Sequence, residues 1–204
     1  MYKVISSGSQ GNAILYHNSI LVDIGIPFAS LLPYIHNIQL VLLTHEHKDH
    51  FNLTTIKKLI FERPSIRIGC CNWFETLQGR NIDIYEIGNT YNYGKFSISP
   101  VKLYHDVPNC GYRIVKDDFK IFHATDTAHL NGIEAKNYDL YALEANYNEE
   151  TVFGSINQKE LEGRFAYQKG AINSHLSEQQ ANDFIFRNKG EKYEFLRLHE
   201  SKTR

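Results

Sequence analysis

The chain has 204 residues, with 22 Lys and Arg against 23 Asp and Glu, for a formal net charge of -1. That balance excludes the strong basic excess of a protein gripping long nucleic acid through phosphates, and 42% hydrophobic with 22% charged residues excludes global disorder. Three cysteines, Cys70, Cys71 and Cys110, make no disulfide framework, no apolar run approaches the ~20 residues of a membrane span, and Met1-Tyr2-Lys3-Val4-Ile5 lacks a signal-peptide core. One domain over 1–204, in the cytoplasm, is expected.

Tyr2 to Ser6 and Ala13 to Tyr16 predict a hairpin around Ser7-Gly8-Ser9-Gln10-Gly11-Asn12. That Gly-rich turn precedes a strand rather than a helix, so it is no phosphate loop. Ser19 to Ile24 predicts a third strand. Pro27 to His36 predicts a short helix, Ile38 to Leu43 a short buried strand, and Asn52 to Phe61 a helix ended by Pro64. Arg67 to Cys70 follows as a strand, Trp73 to Leu77 as a helical turn, and Ile82 to Ile87 and Lys95 to Val101 as strands. Tyr112 to Val115 and Phe119 to Phe122 pair around Lys116-Asp117-Asp118. Leu140 to Leu143 is another buried strand. Asn148 to Gln168 is polar with weak helical spacing. Ser177 to Asn188 predicts a helix, with Ser177 as N-cap and Gln180 at the capping-box position. Tyr193 to Leu198 is the last strand. The order of strands and helices makes an α/β layered domain with mixed sheets.

Metal-capable residues recur where strands stop: His45-Glu46-His47-Lys48-Asp49-His50, His105, Asp126, His175 and His199. Imidazole and carboxylate are the ligand set for zinc and similar divalent ions. His45 and His47 are two apart, so an extended backbone points them to one side. By the same alternation His123 points away from Asp126. His129 is read as a surface residue, and His17 and His36 as loop residues. His175, ahead of a capped helix, is either a cap neighbour or a ligand. His199 is balanced between tail residue and functional group.

His45-x-His47-x-Asp49-His50 has the His-x-His-x-Asp-His form of the metallo-β-lactamase fold hydrolases. The opening Ser6-Ser7-Gly8-Ser9-x-Gly11-Asn12 and Leu21-Val22-Asp23-x-Gly25 resemble the start of such proteins, and the segments around His105, Asp126 and His175 resemble its later ligand segments. The resemblance implies a four-layer αβ/βα metallo-β-lactamase sandwich. It implies that His45, His47 and His105 hold one metal, that Asp49, His50 and His175 hold another, and that Asp126 bridges them. Asp23 is then a supporting residue beside the ligands. The implied cofactors are two divalent ions, zinc first and manganese as the alternative. Asp49 and His199 are the candidate catalytic residues; the matching late histidine binds phosphate or protonates the leaving group. Arg164 and Lys169 are the candidates to hold substrate phosphate.

The segments most resemble small Firmicutes and phage proteins of the WalJ/YycJ exonuclease-like group, although Asn146-Tyr147-Asn148 stands where that group often has Asn-His-Asp. The fold also resembles phage enzymes that hydrolyse cyclic mononucleotides as homodimers, and a homodimer is carried over from them. The expected activity is a phosphodiesterase acting on a cyclic nucleotide or other small phosphodiester. The alternatives are a DNA or RNA exonuclease, a thioester or lactam hydrolase, and a binding protein with a degenerate site. No membrane partner is expected.

Overall fold

The first three strands are short, and the second and third are buried throughout. In a computed structural model of the chain they are β1 (Tyr2–Ser6), β2 (Ala13–Tyr16) and β3 (Ile20–Val22), paired antiparallel. Residues 1–162 and 168–199 are described, apart from the side chains of 157, 160, 168, 169 and 171. The chain divides into two compact units, Met1–Asn89 and Thr90–Arg204.

In the first unit the chain leaves β3 through α1 (Phe28–Leu31) and returns as β4 (Leu40–Leu42), parallel to β3. Helix α1 is shorter than the sequence predicts. Pro27 supplies no side-chain cap, and Pro33 has no N–H to continue the ladder. After β4, α2 (Leu53–Glu62) leads to β5 (Arg67–Cys71), and β6 (Ile82–Tyr85) follows, both parallel to their neighbours. Between β5 and β6 the segment from Trp73 to Leu77 forms turns without a helix. The sheet order is β1-β2-β3-β4-β5-β6. Helix α2 starts where Asn52 accepts a hydrogen bond from Thr55 N at 3.1 Å, a cap contributing about 1 kcal/mol. Ile56 and Leu59 of α2 join Leu31, Val41, Leu43, Ile68 and Cys70 in one core.

The second unit begins with an antiparallel meander: β7 (Tyr91–Tyr93), β8 (Phe96–Leu103), β9 (Asn109–Lys116) and β10 (Phe119–Ala124). Parallel strands follow. β11 (Leu140–Glu144) lies beside β10, and β12 (Glu194–Leu198) beside β11, giving the order β12-β11-β10-β9-β8-β7. Between them run α3 (Glu149–Leu161), α4 (Gln168–Ser174) and α5 (Glu178–Asn188). Helix α5 carries the predicted capping box: Gln180 N donates to Ser177 Oγ at 3.0 Å, and Ser177 N donates to Gln180 Oε1 at 2.8 Å. Its Ala181, Phe184 and Ile185 pack on Phe122, Tyr141 and Leu143, and burial of each large side chain contributes about 1.5–3 kcal/mol. Among the described residues, no helix is long and apolar enough to cross a membrane.

Candidate metal centre

Each unit gathers histidines and carboxylates where its strands end. In the first unit the chain runs off β4 into Thr44, His45 and the loop to His50. Glu46 and Lys48 are exposed, while His45 is buried and His47 half-buried, the alternation expected of an extended backbone; His50 is buried in the turn that follows. The His45 ring lies 4.2 Å from that of His50 and 4.8 Å from that of His47, centroid to centroid. Asp49 Oδ2 is 3.6 Å from His50 Nε2.

Asp23 organises this cluster from beneath. It follows β3 with φ 61°, a left-handed conformation that Asp tolerates better than most residues. Its carboxylate accepts from Thr44 N at 2.9 Å and from Thr44 Oγ1 at 2.9 and 3.0 Å. His50 Nδ1 donates to it at 2.6 Å. Thr44 Oγ1 also lies 3.0 Å from His45 Nδ1. Burial pushes the Asp23 carboxyl up, with His50 and Thr44 pulling against that rise. Gly25 lets the ligand loop close over this strand end: a Cβ there would lie 1.8 Å from Asp49 O. Asn12, from the Gly/Ser turn, adds a backbone N–H to Asp49 O at 2.6 Å and an amide N–H to His50 Nε2 at 2.8 Å.

In the second unit, Asp126, Glu144, His175 and His199 each offer a ligand atom, and these atoms lie within 4.8 Å of one another. Asp126 follows β10 with φ 55°, and His199 follows β12 with φ 50°. Glu144 ends β11 and is fully buried. It accepts from Thr127 N and Leu176 N, both at 3.2 Å, and from His175 Nδ1 at 2.5 Å. His175 also lies 3.5 Å from Asp126 Oδ1, and its ring stacks on His199 at 5.3 Å. Burial alone would lower the His175 pKa, but the Glu144 hydrogen bond and the charges of Glu144 and Asp126 carry it up. His105 Nδ1 donates to Ser174 O at 2.9 Å, and its ring lies 5.3 Å from that of His175. Burial lowers the His105 pKa against the opposing charges of Asp126 and of Asp106, whose Oδ1 lies 3.0 Å from Nε2.

The donor set fits divalent ions. His45, His50, His105 and His175 each turn Nδ1 to an oxygen. With Nδ1 donating, the lone pair sits on Nε2, the arrangement by which a supporting oxygen orients a histidine ligand and raises its basicity; at His50 an ion would displace the Asn12 amide N–H from Nε2, and at His105 it would come between Nε2 and Asp106 Oδ1, 3.0 Å apart.

Several of these partners were missed in the sequence. Glu144 was available as a signal, since an acidic residue directly continues the apolar run Leu140 to Leu143. Asn12 and Asn146 fall in stretches that the resemblance marks, without a role assigned to either; Thr44 carried no signal, because a short polar residue beside a turn is ordinary. His123 is buried within β10, and His129 lies tilted against Tyr104 with centroids 4.3 Å apart. Arg164 and the side chain of Lys169 lie outside the described residues.

Fold and donor chemistry together define a metal-dependent hydrolase of the metallo-β-lactamase fold. The model of the family described as "Beta-lactamase superfamily domain" matches residues 19–184, and the chain belongs to that family. Membership carries divalent-metal binding with it. Among curated relatives, exodeoxyribonuclease WalJ of Streptococcus pneumoniae strain D39 is 27% identical over 93% of this chain and 77% of its own length. The metallo-β-lactamase fold protein YhfI of Bacillus subtilis superposes with a TM-score of 0.74 at 18% identity, covering 100% of this chain and 86% of that one. The short form of human tRNase Z gives a TM-score of 0.67 at 15% identity, over 98% and 92%. These two likenesses show the fold.

Proposed function

We propose that the protein hydrolyses phosphodiesters with two divalent ions, and that its substrate is a nucleic-acid end. The observation that carries the reading is the set of four histidines whose Nδ1 atoms face oxygen acceptors. The assignment keeps His45, His47 and His105 for one ion, Asp49, His50 and His175 for the other, and Asp126 for both. Bound there, such ions lower the pKa of water towards neutrality and neutralise charge on phosphate oxygens. Asp23, Thr44, Glu144 and Ser174 O hold the ligand rings in place. His199 gives a proton to the departing oxygen. Zinc suits this nitrogen-rich set, with manganese as the alternative.

The choice of a polymer end rests on the curated relative named an exodeoxyribonuclease. A cyclic nucleotide or other small phosphodiester is the second reading, supported by the near-balanced charge of -1. Arg164 and Lys169 remain candidates to hold phosphate. We place the protein in the cytoplasm, where free thiols persist: Cys70, Cys71 and Cys110 are all free and buried. A single working domain and a homodimer, carried from the resemblance, belong to the same proposal.

The test is metal content together with turnover of single-stranded DNA, RNA, cyclic mononucleotides, bis-p-nitrophenyl phosphate and a thioester. Two ions per chain with cleavage of DNA or RNA ends is the expected result. Asp126→Ala should lower that rate on the order of 10³-fold, as loss of several kcal/mol of metal-assisted stabilisation implies. Turnover of the thioester alone, or two-metal binding with no phosphodiester cleaved, would sink the reading.

A further inference from the structure

We infer that Asn146 is a positioning residue that sets the tautomer of His199, keeping the neutral ring's proton on Nε2. The inference rests on the reading above, in which His199 supplies a proton. Asn146 Nδ2 lies 3.0 Å from the backbone carbonyl oxygen of His199 and 3.2 Å from its Nδ1. An amide nitrogen only donates and a carbonyl oxygen only accepts. The contact with the carbonyl therefore fixes which end of the amide faces His199. An Nδ1 that faces a donor carries the lone pair, so the proton sits on Nε2.

This is the reverse of the ligand histidines. Nδ1 of His50, His105 and His175 faces oxygen at 2.6, 2.9 and 2.5 Å. His50 and His175, with Nδ1 held on a carboxylate, carry the lone pair at Nε2, which on His50 accepts the Asn12 amide N–H at 2.8 Å; His105 has an oxygen at both nitrogens, Asp106 Oδ1 lying 3.0 Å from its Nε2. His199 presents an N–H at Nε2, 3.6 Å from Asp126 Oδ1. Three histidines thus turn Nδ1 to an acceptor, and His199 turns it to a donor.

The setting makes Asn146 decisive. Glu144 Oε1 lies 3.4 Å from His199 Nδ1, close enough to draw the proton to that nitrogen. The same oxygen accepts from His175 at 2.5 Å, and the Asn146 amide occupies the approach to His199 Nδ1. Asn146 is itself held, its backbone N–H donating to Leu176 O at 2.9 Å while the preceding Ala145 N–H donates to Leu198 O at 3.1 Å. Without the amide, Glu144 becomes the acceptor, the proton moves to Nδ1, and His199 becomes a ring of the ligand type.

The experiment is a two-bond ¹H–¹⁵N correlation on zinc-loaded, ¹⁵N-histidine-labelled protein, which separates the two neutral tautomers. His199 is assigned by its loss in His199→Gln. The expected spectrum has Nε2–H at His199 and Nδ1–H at His50, His105 and His175. Asn146→Ala should move His199 alone to the Nδ1–H pattern. Asn146→Asp, which places an acceptor at the same point, should do likewise and serves if the alanine variant does not fold. An Nδ1–H pattern at His199 in the parent protein, or an unmoved pattern in a folded variant, overturns the inference. Kinetics add a second reading. Asn146→Ala should keep turnover of bis-p-nitrophenyl phosphate within about threefold, because that leaving group needs no proton. On a dinucleotide with an alkoxide leaving group it should lose about 10²-fold. Equal losses on both would reduce Asn146 to a structural part. A parent protein that turns over neither substrate fails the phosphodiesterase reading, while the spectra still decide the tautomer.

Discussion

The two units follow one plan and spend their carboxylates differently. Each starts as an antiparallel meander and continues in parallel strands. Each places an aspartate with positive φ just past its last antiparallel strand, Asp23 after β3 and Asp126 after β10. In the first unit that aspartate turns inward, binding Thr44 and the His50 ring. In the second, Asp126 stands beside His175 and His199 at 3.5 and 3.6 Å, and the inward task passes to Glu144 one strand later. The same backbone position thus serves as a brace in one unit and as a candidate ligand in the other. What decides is whether the next strand ends in a second buried acid. β4 ends towards Thr44, and β11 ends in Glu144.

The comparison can be broken at the braces. Asp23→Asn and Glu144→Gln each leave a ligand histidine without its charged partner. Each should weaken metal binding about 10- to 100-fold, read by competition with a chelator. The two losses should be of similar size, because Glu144 also holds Thr127 N and Leu176 N while Asp23 also holds Thr44 N and Thr44 Oγ1. Equal and negligible effects would mean that the buried acids serve the fold alone.

A smaller effect tests the closure of the first unit. Gly25→Ala drives a Cβ into Asp49 O, which backbone must relieve, at a cost of about 1–3 kcal/mol by analogy with overpacked cores. Melting temperature reads it directly. Gly154→Ala, in α3 with open space around the added methyl, should go the other way by roughly 0.5–1 kcal/mol. If both variants melt alike, the close approach at Gly25 is not a constraint.

The smallest expected effect concerns how β12 is held in the second unit. The Asn148 amide, and then the Arg197 guanidinium, hold the Glu178 carboxyl below its ordinary range. A depressed folded pKa stabilises above the unfolded value, and that contribution is lost as pH falls through the folded value. Glu178→Gln should therefore melt slightly below the parent at neutral pH, and the gap should close in acid. A gap that persists below the folded pKa would refute the linkage.

Much of this is legible in the sequence alone. Strand ends announced themselves because apolar runs stop at His45, Asp126 and His199, and the capping box at Ser177 and Gln180 is a local signal that tertiary context had no reason to override. The helix from Pro27 was overextended because Pro33 breaks the ladder that the apolar spacing promised. Trp73 to Leu77 carried apolar residues near helical spacing, yet Phe74 and Leu77 join the core from turns. Asn12 and Asn146 fall in stretches that the resemblance marks, yet their contacts are not legible for a different reason. Their roles depend on partners 38 and 53 residues away, and nothing local in a sequence records such a meeting.

Those separations also set an order in time. The Asp23–His50 brace spans 27 residues, whereas His105–Ser174 spans 69 and Asn146–His199 spans 53. Closing the longest of these loops rather than the shortest costs only about 0.8 kcal/mol more in chain entropy. During synthesis from the N-terminus the difference is larger. The first brace has both partners once residue 50 has been added, while the second unit waits for residue 199. The first unit's donors are thus all synthesised long before the Asn146 amide has a ring to face, and a cation bound in that interval would meet those donors alone.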